Sequence, residues 1–104
     1  MLKILLVCVG GMSSSLVTNA MIKAGAKAGI EIDGHACGLG EYDNTINSKD
    51  WDGILVSPQV KFNFEPLKKV ADEKGIPIVA IKPQAYTPMG GDFLMAHIKE
   101  MGLI

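Results

Sequence analysis

The segment from Cys8 to Leu16 holds the residues best suited to chemistry. A cysteine follows an apolar run directly, and two glycines and three consecutive serines come soon after it. A loop of this kind between a strand and a helix directs several backbone N–H groups at one point, where the helix dipole adds positive potential. The sequence therefore predicts an anion-binding loop. Its expected phosphate-binding residues are Val9, Gly10, Gly11, Met12, Ser13, Ser14 and Ser15.

Cys8 is the predicted nucleophile of this loop. A helix N-terminus favours the thiolate form of a nearby cysteine, so the thiol can react near neutral pH without a neighbouring histidine or arginine. Gly10 and Gly11 permit close backbone approach, and the serine hydroxyls can donate hydrogen bonds to phosphoryl oxygens. The alternative interpretation is that Cys8 is a buried packing thiol and that the glycines only turn the chain.

The absence of arginine separates two phosphorus chemistries that use such a loop. A cysteine phosphatase of the low-molecular-weight kind needs an arginine after five intervening residues to hold the phosphoryl group with two hydrogen bonds. Ser14 occupies that position, and all ten basic residues of the chain are lysines. No aspartate precedes a proline to act as a general acid. Neutral donors that hold a phosphoryl group without clamping it favour phosphoryl relay over hydrolysis.

The elements around the loop are predicted from hydrophobic periodicity. Residues 2–7 are a short apolar run, typical of a central strand buried on both faces, and residues 13–28 carry apolar side chains at helical spacing. Residues 30–37 alternate like a half-exposed edge strand and precede a glycine-rich loop and a short polar segment. Two further strands over 53–57 and 77–81 flank a helix that Gly75 ends, and a last helix covers about 93–101.

This order predicts an α/β fold. Strands alternate with crossovers of helical length, which indicates one open four-stranded parallel sheet with helices on both faces. A length of 104 residues suits a single domain over 1–104. Functional loops of such folds leave the carboxyl ends of the strands, so the segments 8–15, 38–43, 57–63 and 82–91 are expected to meet there.

Composition limits the possible partners and locations. A formal net charge of −1 gives no global field for nucleic acid or an anionic membrane. Two cysteines make a disulfide framework unexpected, and no segment approaches the length of a membrane-spanning helix. The apolar run at the amino terminus is too short for a secretory leader. We expect a cytoplasmic protein with no nucleic-acid partner and no direct membrane insertion.

Metal and cofactor sites are not predicted. His35 and Cys37 project to the same face of the second strand, but a closed metal site needs four ligands and this spacing supplies two. The Gly38-Leu-Gly40 segment lacks the third glycine of a dinucleotide fingerprint. His97 lies among apolar residues at helical spacing and is interpreted as a surface or packing residue.

Three separated motifs together resemble one family. Cys8-x-x-Gly11-Met12-Ser13-x-Ser15-Leu16 resembles the phosphocysteine loop of the enzyme IIB component of the sugar phosphotransferase system, in the lactose/cellobiose (chitobiose) class. The segment 54–62 is similar to the third strand of that family and its Gly-Pro-Gln-Val-Arg-Tyr motif, with Ser57 in place of the glycine. The segment 86–91 is similar to the family's Tyr-Gly-x-Met-Asn/Asp-Gly motif, with Gly90 in place of the polar residue. The resemblance spans the whole chain.

The resemblance implies a two-step relay on a fold similar to that of low-molecular-weight tyrosine phosphatases. Cys8 would accept a phosphoryl group from a phosphohistidine of a IIA protein. It would then pass the group to a sugar, expected to be a β-linked disaccharide, bound by a membrane-embedded IIC permease. The protein would be cytoplasmic and peripherally associated with that permease.

The loops that flank Cys8 are expected to support it or to dock partners. The residues named for this role are Pro58, Gln59, Tyr86 and Met89. Apolar docking contacts are expected from Met12, Phe62 and Met89, with Lys61 or Lys82 tuning the charge. Two other functions stay open at this point. One is a non-catalytic regulatory module that responds to phosphorylation, and the other is a low-molecular-weight cysteine phosphatase or arsenate-reductase-like enzyme.

Overall fold

A four-stranded parallel sheet organises the chain. The computed structural model describes residues 2–8, 13–48, 50–83 and 91–103. The sheet has the strand order β2-β1-β3-β4. Its strands are β1 (Leu2–Cys8), β2 (Ile32–Gly38), β3 (Gly53–Val56) and β4 (Ile78–Ala80). The central position predicted for the first strand and the edge position predicted for the second are confirmed.

Four helices connect and follow these strands. They are α1 (Ser13–Lys27), α2 (Tyr42–Ile46), α3 (Phe64–Glu73) and α4 (Gly91–Glu100). Two 3-10 segments, Leu39–Glu41 and Pro58–Asn63, lie at the carboxyl edge of the sheet. The predicted α/β fold with a parallel sheet is confirmed. No helix within the described ranges is long and apolar enough to cross a membrane.

Alternation along the buried strands creates two apolar cores, one on each face of the sheet. Leu5 and Val7 of β1 belong to one core, and Ile4 and Leu6 belong to the other. The first core receives the buried side chains of α2 and α3, and the second receives those of α1 and α4. Because both faces of β1 are covered, the strand carries apolar residues at consecutive positions instead of alternating polar ones.

Gly75 ends α3, as the sequence predicts. Its φ is +71°, a left-handed conformation that glycine adopts at little cost. The Ile76 N–H donates to the Ala71 carbonyl oxygen at 2.9 Å, which closes the last turn. The chain can therefore reverse sharply and enter β4.

A close contact between α1 and α4 depends on the glycine that begins α4. A Cβ atom built on Gly91 would lie 2.6 Å from the Ala20 carbonyl oxygen and 3.0 Å from the Ala24 Cβ. Only the missing side chain lets the two helices approach to this distance. This contact fixes the start of α4 against the middle of α1.

Candidate functional site

Cys8 lies at the centre of the carboxyl edge of the sheet. It is the last residue of β1 and pairs with Gly38, the last residue of β2. On the other side, the Ser57 N–H donates to the Val7 carbonyl oxygen at 2.8 Å and extends the ladder between β1 and β3. Four residues separate Cys8 from Ser13, the first residue of α1. The predicted placement of the cysteine between a central strand and a helix start is confirmed.

The thiol of Cys8 is buried and donates a hydrogen bond to a backbone oxygen of the neighbouring strand. The residue is 3% exposed, and its Sγ donates to the Cys37 carbonyl oxygen at 3.3 Å. A thiolate has no proton to donate, so this contact belongs to the protonated form of Cys8. Ionisation of Cys8 would turn the same contact into a repulsion between two acceptors.

Cys37 is the second free cysteine and has a different environment. It lies in the core that contains Val7, on the face of the sheet covered by α2 and α3. Burial raises the pKa of the Cys37 thiol to about 11, a hydrogen bond with Thr45 partly opposes this, and the nearby charges of Cys8 and Glu41 raise the pKa further. Cys37 is therefore a neutral thiol near pH 7 and a poor nucleophile.

His35 covers an aromatic side chain. Its ring stacks on that of Trp51, with centroids 6.1 Å apart and planes inclined at 28°. His35 and Cys37 share a face of β2, as the alternation predicts, but His35 is exposed and Cys37 is buried. No group of three or more potential metal ligands occurs in the part of the chain that the structure describes.

Ser57 is a buried polar residue beside Cys8 that the sequence analysis did not assign to the site. It is 0% exposed, and its Oγ has no hydrogen-bond partner among the described residues. In the sequence it begins the segment 57–63 that is expected at this edge, and it departs from the family's third-strand motif. A serine directly after a buried apolar strand at the functional edge was the available signal. The burial of its hydroxyl depends on neighbouring strands and could not be read from local sequence.

The structure places some of the other predicted residues at this edge. Ser13, Ser14 and Ser15 form the first turn of α1, and Pro58 and Gln59 begin the 3-10 segment that follows Ser57. Phe62 lies in the same 3-10 segment and is 88% exposed. The remaining predicted loop residues lie outside the described residues. These are Val9, Gly10, Gly11, Met12, Tyr86 and Met89.

His97 fixes the chain where it leaves β4. Its Nε2 accepts the Lys82 N–H at 3.3 Å, and its Nδ1 lies 3.4 Å from the Glu100 Oε2. His97 is 4% exposed, which agrees with its interpretation as a packing residue. In a neutral imidazole that accepts at Nε2, the proton is on Nδ1. Glu100 is placed to accept a hydrogen bond from this Nδ1–H.

These features define a class of small parallel α/β domain whose functional edge centres on a cysteine between β1 and α1. Residues 3–97 match the family model described as "PTS system, Lactose/Cellobiose specific IIB subunit". The chain belongs to this family, so the resemblance noted in the sequence is confirmed and the protein is a phosphotransferase component of a sugar-transport system.

Individual relatives agree with the family assignment. The chain is 36% identical over 101 residues to the galactose-specific EIIB component of Lactococcus lactis subsp. cremoris, with 94% of each chain covered. It is 30% identical over 89 residues to the lactose-specific EIICB component of Lactococcus lactis subsp. lactis, covering 86% of this chain and 15% of that protein. The solved lactose-specific IIB domain of Streptococcus pneumoniae superposes with a TM-score of 0.74 at 26% identity, covering 92% of this chain and 96% of that one.

Proposed function

We propose that Cys8 is the residue of this chain that carries the phosphoryl group. In this proposal, residues 1–104 act as a single IIB domain that accepts the group from a phosphohistidine of a IIA protein. The domain then passes the group to a sugar bound by a IIC permease. The observation that carries the proposal is the position of Cys8, at the end of the central strand and five residues before the first turn of α1.

The first transfer exchanges one bond to phosphorus for another. The Cys8 sulfur attacks the phosphorus of phosphohistidine in line, an S–P bond forms and the N–P bond breaks. The proton lost by the thiol ends on the imidazole nitrogen that released the phosphoryl group. The dipole of the 15-residue helix α1 and the N–H groups of its first turn favour the negative charge of the group that arrives.

The second transfer releases the group to the sugar. A sugar hydroxyl attacks phosphorus, an O–P bond forms, the S–P bond breaks, and the hydroxyl proton returns to the sulfur of Cys8. A chain without arginine has no guanidinium to clamp the phosphoryl group, which favours its transfer to an acceptor over its retention. The same absence argues against the phosphatase and arsenate-reductase alternatives, because both would need that grip.

The IIC permease is the proposed partner for the second transfer. A relative named as an EIICB component contains a segment similar to this chain within a much longer protein. The names of the relatives refer to galactose, cellobiose and lactose, which supports a β-linked disaccharide as the substrate. We assign partner docking to the carboxyl edge. The proposed docking residues are Met12, Pro58, Gln59, Lys61, Phe62, Lys82, Tyr86 and Met89.

Transfer of labelled phosphoryl groups tests this function. Label supplied as phosphoenolpyruvate through the general phosphotransferase proteins and a IIA protein should reach the wild type and the Cys37→Ser variant equally. The Cys8→Ser variant should stay unlabelled. Because both variants replace a buried thiol with a hydroxyl, Cys37→Ser controls for the substitution itself. Equal labelling of Cys8→Ser and wild type would overturn the proposal.

A further inference from the structure

The hydroxyl of Ser57 is buried and unpaired among the described residues of the resting protein. The residue is fully buried, and Oγ finds no partner within the described part of the chain. Buried hydroxyl groups in native proteins nearly always have a hydrogen-bond partner, because losing water without replacing it is unfavourable. A buried hydroxyl with no partner among the described residues, at the edge that carries Cys8, is available to a partner that forms in another state of the protein.

The register of the sheet places this hydroxyl beside Cys8. Val7 pairs with Val56, so Cys8 and Ser57 occupy the next level of the two neighbouring strands. Val7 and Val56 pack into one core, whereas Leu6 and Leu55 pack into the other.

Alternation along both strands therefore directs the next two side chains, those of Cys8 and Ser57, to the same face. That face also carries α1, whose first turn approaches the site.

The state that needs a donor is the Cys8 thiolate. In the resting protein the thiol donates to the Cys37 carbonyl oxygen on the β2 side. After loss of its proton, the sulfur can only accept hydrogen bonds, and the Cys37 carbonyl cannot donate one. Ser57 supplies an O–H on the β3 side, where no other acceptor among the described residues competes for it.

We propose that the Ser57 hydroxyl donates a hydrogen bond to the Cys8 thiolate, both before attack on phosphohistidine and when the sulfur departs from the sugar phosphate. This inference rests on the proposed function, in which Cys8 carries the phosphoryl group. No bond to Ser57 Oγ forms or breaks, and the hydroxyl keeps its proton in both transfers.

Other ionisable groups near Cys8 do not replace this donor. The side chain of Cys37 lies on the opposite face of the sheet and is uncharged near neutral pH, and Glu41 in the adjacent 3-10 segment is an acceptor. The first turn of α1 contributes three serines and no titratable side chain. Lys82, exposed after β4, and Lys61, in the 3-10 segment after Ser57, are the basic residues of the same edge.

Ionisation of Cys8 in a Ser57→Ala variant tests the proposal. The ultraviolet absorbance of the thiolate is followed against pH, and the curve of a matched protein that also carries Cys8→Ser is subtracted. The subtraction removes the signals of Cys37 and the tyrosines. We expect the midpoint for Cys8 to rise by about one pH unit in Ser57→Ala, since a hydrogen bond to a charged group favours the charged form.

Ser48→Ala is the matched control. Ser48 is exposed near the amino end of β3, at the opposite edge of the sheet, so the same chemical change there should leave the Cys8 midpoint unmoved. An unshifted midpoint in Ser57→Ala would overturn the proposal.

Unfolding in urea provides the second readout. Because Ser57 Oγ has no partner in the resting protein, Ser57→Ala should be as stable as the wild type or more stable. A loss of stability would show that the hydroxyl is already paired in the resting state and would also overturn the proposal. Neither readout needs a phosphoryl donor, so failure here is distinguishable from failure of the labelling experiment.

Phosphoryl transfer links the hydrogen bond to function. Below the Cys8 midpoint, Ser57→Ala should accept label about tenfold more slowly than the wild type, as a displacement of one pH unit implies. The difference should disappear at pH values above the midpoint of the variant. A rate defect that is constant across pH would contradict a role in stabilising the thiolate.

Discussion

The two cysteines show how position alone separates one thiol from another. Cys8 and Cys37 lie on neighbouring strands, and the backbone oxygen of one accepts a hydrogen bond from the thiol of the other. Cys37 turns into an apolar core, whereas Cys8 ends its strand at the carboxyl edge of the sheet, five positions before α1 begins. Burial disfavours the charged thiolate of Cys37.

Alkylation of Cys37 tests this separation at the residue scale. In a Cys8→Ser protein near pH 8, we expect iodoacetamide to leave Cys37 unmodified while the protein is folded, because its thiol is buried and its pKa is raised to about 11. Mass spectrometry of the intact protein reports the adduct. The same protein in concentrated urea is the control and should be modified fully. Equal rates in the two conditions would contradict the described environment of Cys37.

Residue-scale prediction from sequence succeeds where the signal is local. The position of Cys8 follows from an apolar run that ends in two glycines, and that pattern needs only adjacent residues. The unpaired hydroxyl of Ser57 and the bond between His97 and Lys82 depend on residues brought together by the fold. Neither can be seen in a window of sequence.

At the scale of elements, Tyr42 ties α2 to α3. Its hydroxyl donates to the Leu67 carbonyl oxygen at 2.8 Å, and its ring lies in the core beneath both helices. Tyr42→Phe keeps the ring and removes the hydrogen bond, so we expect a loss of about 1 kcal/mol in the free energy of unfolding. Urea titration measures it. Ser48→Ala removes an exposed hydrogen bond to the Thr45 carbonyl oxygen and should lower the free energy of unfolding by less. An equal decrease in the two variants would show that burial adds nothing to the Tyr42 hydrogen bond.

His97 makes the corresponding link between α4 and the exit of β4. Replacing it with phenylalanine leaves the part-buried Lys82 N–H without its acceptor, and we expect a loss of about 1 kcal/mol in the free energy of unfolding. Glu100→Gln is the control because Glu100 is exposed and contacts Nδ1 of His97, which is not the nitrogen that accepts from Lys82. Amide exchange at Lys82 should accelerate in His97→Phe. Unchanged exchange would mean that His97 does not hold this part of the chain.

Apolar patterning predicts the four strands and the longer helices of this fold and misses the short helix α2. The helix from Ser13 and the helix ended by Gly75 are found because several turns repeat the same apolar spacing. α2 was predicted as part of a loop and polar segment. Its five residues bury only Tyr42 and Ile46, and two apolar positions cannot establish a helical period.

At the scale of the whole molecule, one sheet divides the apolar interior into two cores, and its strands all run parallel. The four strands of the described sheet therefore end at one edge, where Cys8 and the segment that begins at Ser57 lie. The core covered by α2 and α3 contains two groups whose pKa values are raised by burial, Cys37 and Tyr42. The ionisation of these two groups should therefore make the free energy of unfolding depend on pH in the alkaline range.

Burial raises the pKa of Cys37 from 9.0 to about 11, and burial together with the charges of Cys37 and Asp43 raises that of Tyr42 from 10.0 to about 12. Both groups are neutral when protonated, so the unfolded chain releases these protons at lower pH than the folded protein does. Their contribution to stability is fully present below pH 9 and is lost as the pH rises towards 12.

We therefore expect the free energy of unfolding, measured by urea titration at a series of pH values, to fall steadily above pH 9. A double variant, Cys37→Ala with Tyr42→Phe, lacks both groups and should be less stable at neutral pH but lose less stability per pH unit in the alkaline range. Ionisation of lysines contributes equally to both proteins, so the difference in slope isolates the two buried groups. Parallel slopes would contradict the assignment of alkaline sensitivity to this core.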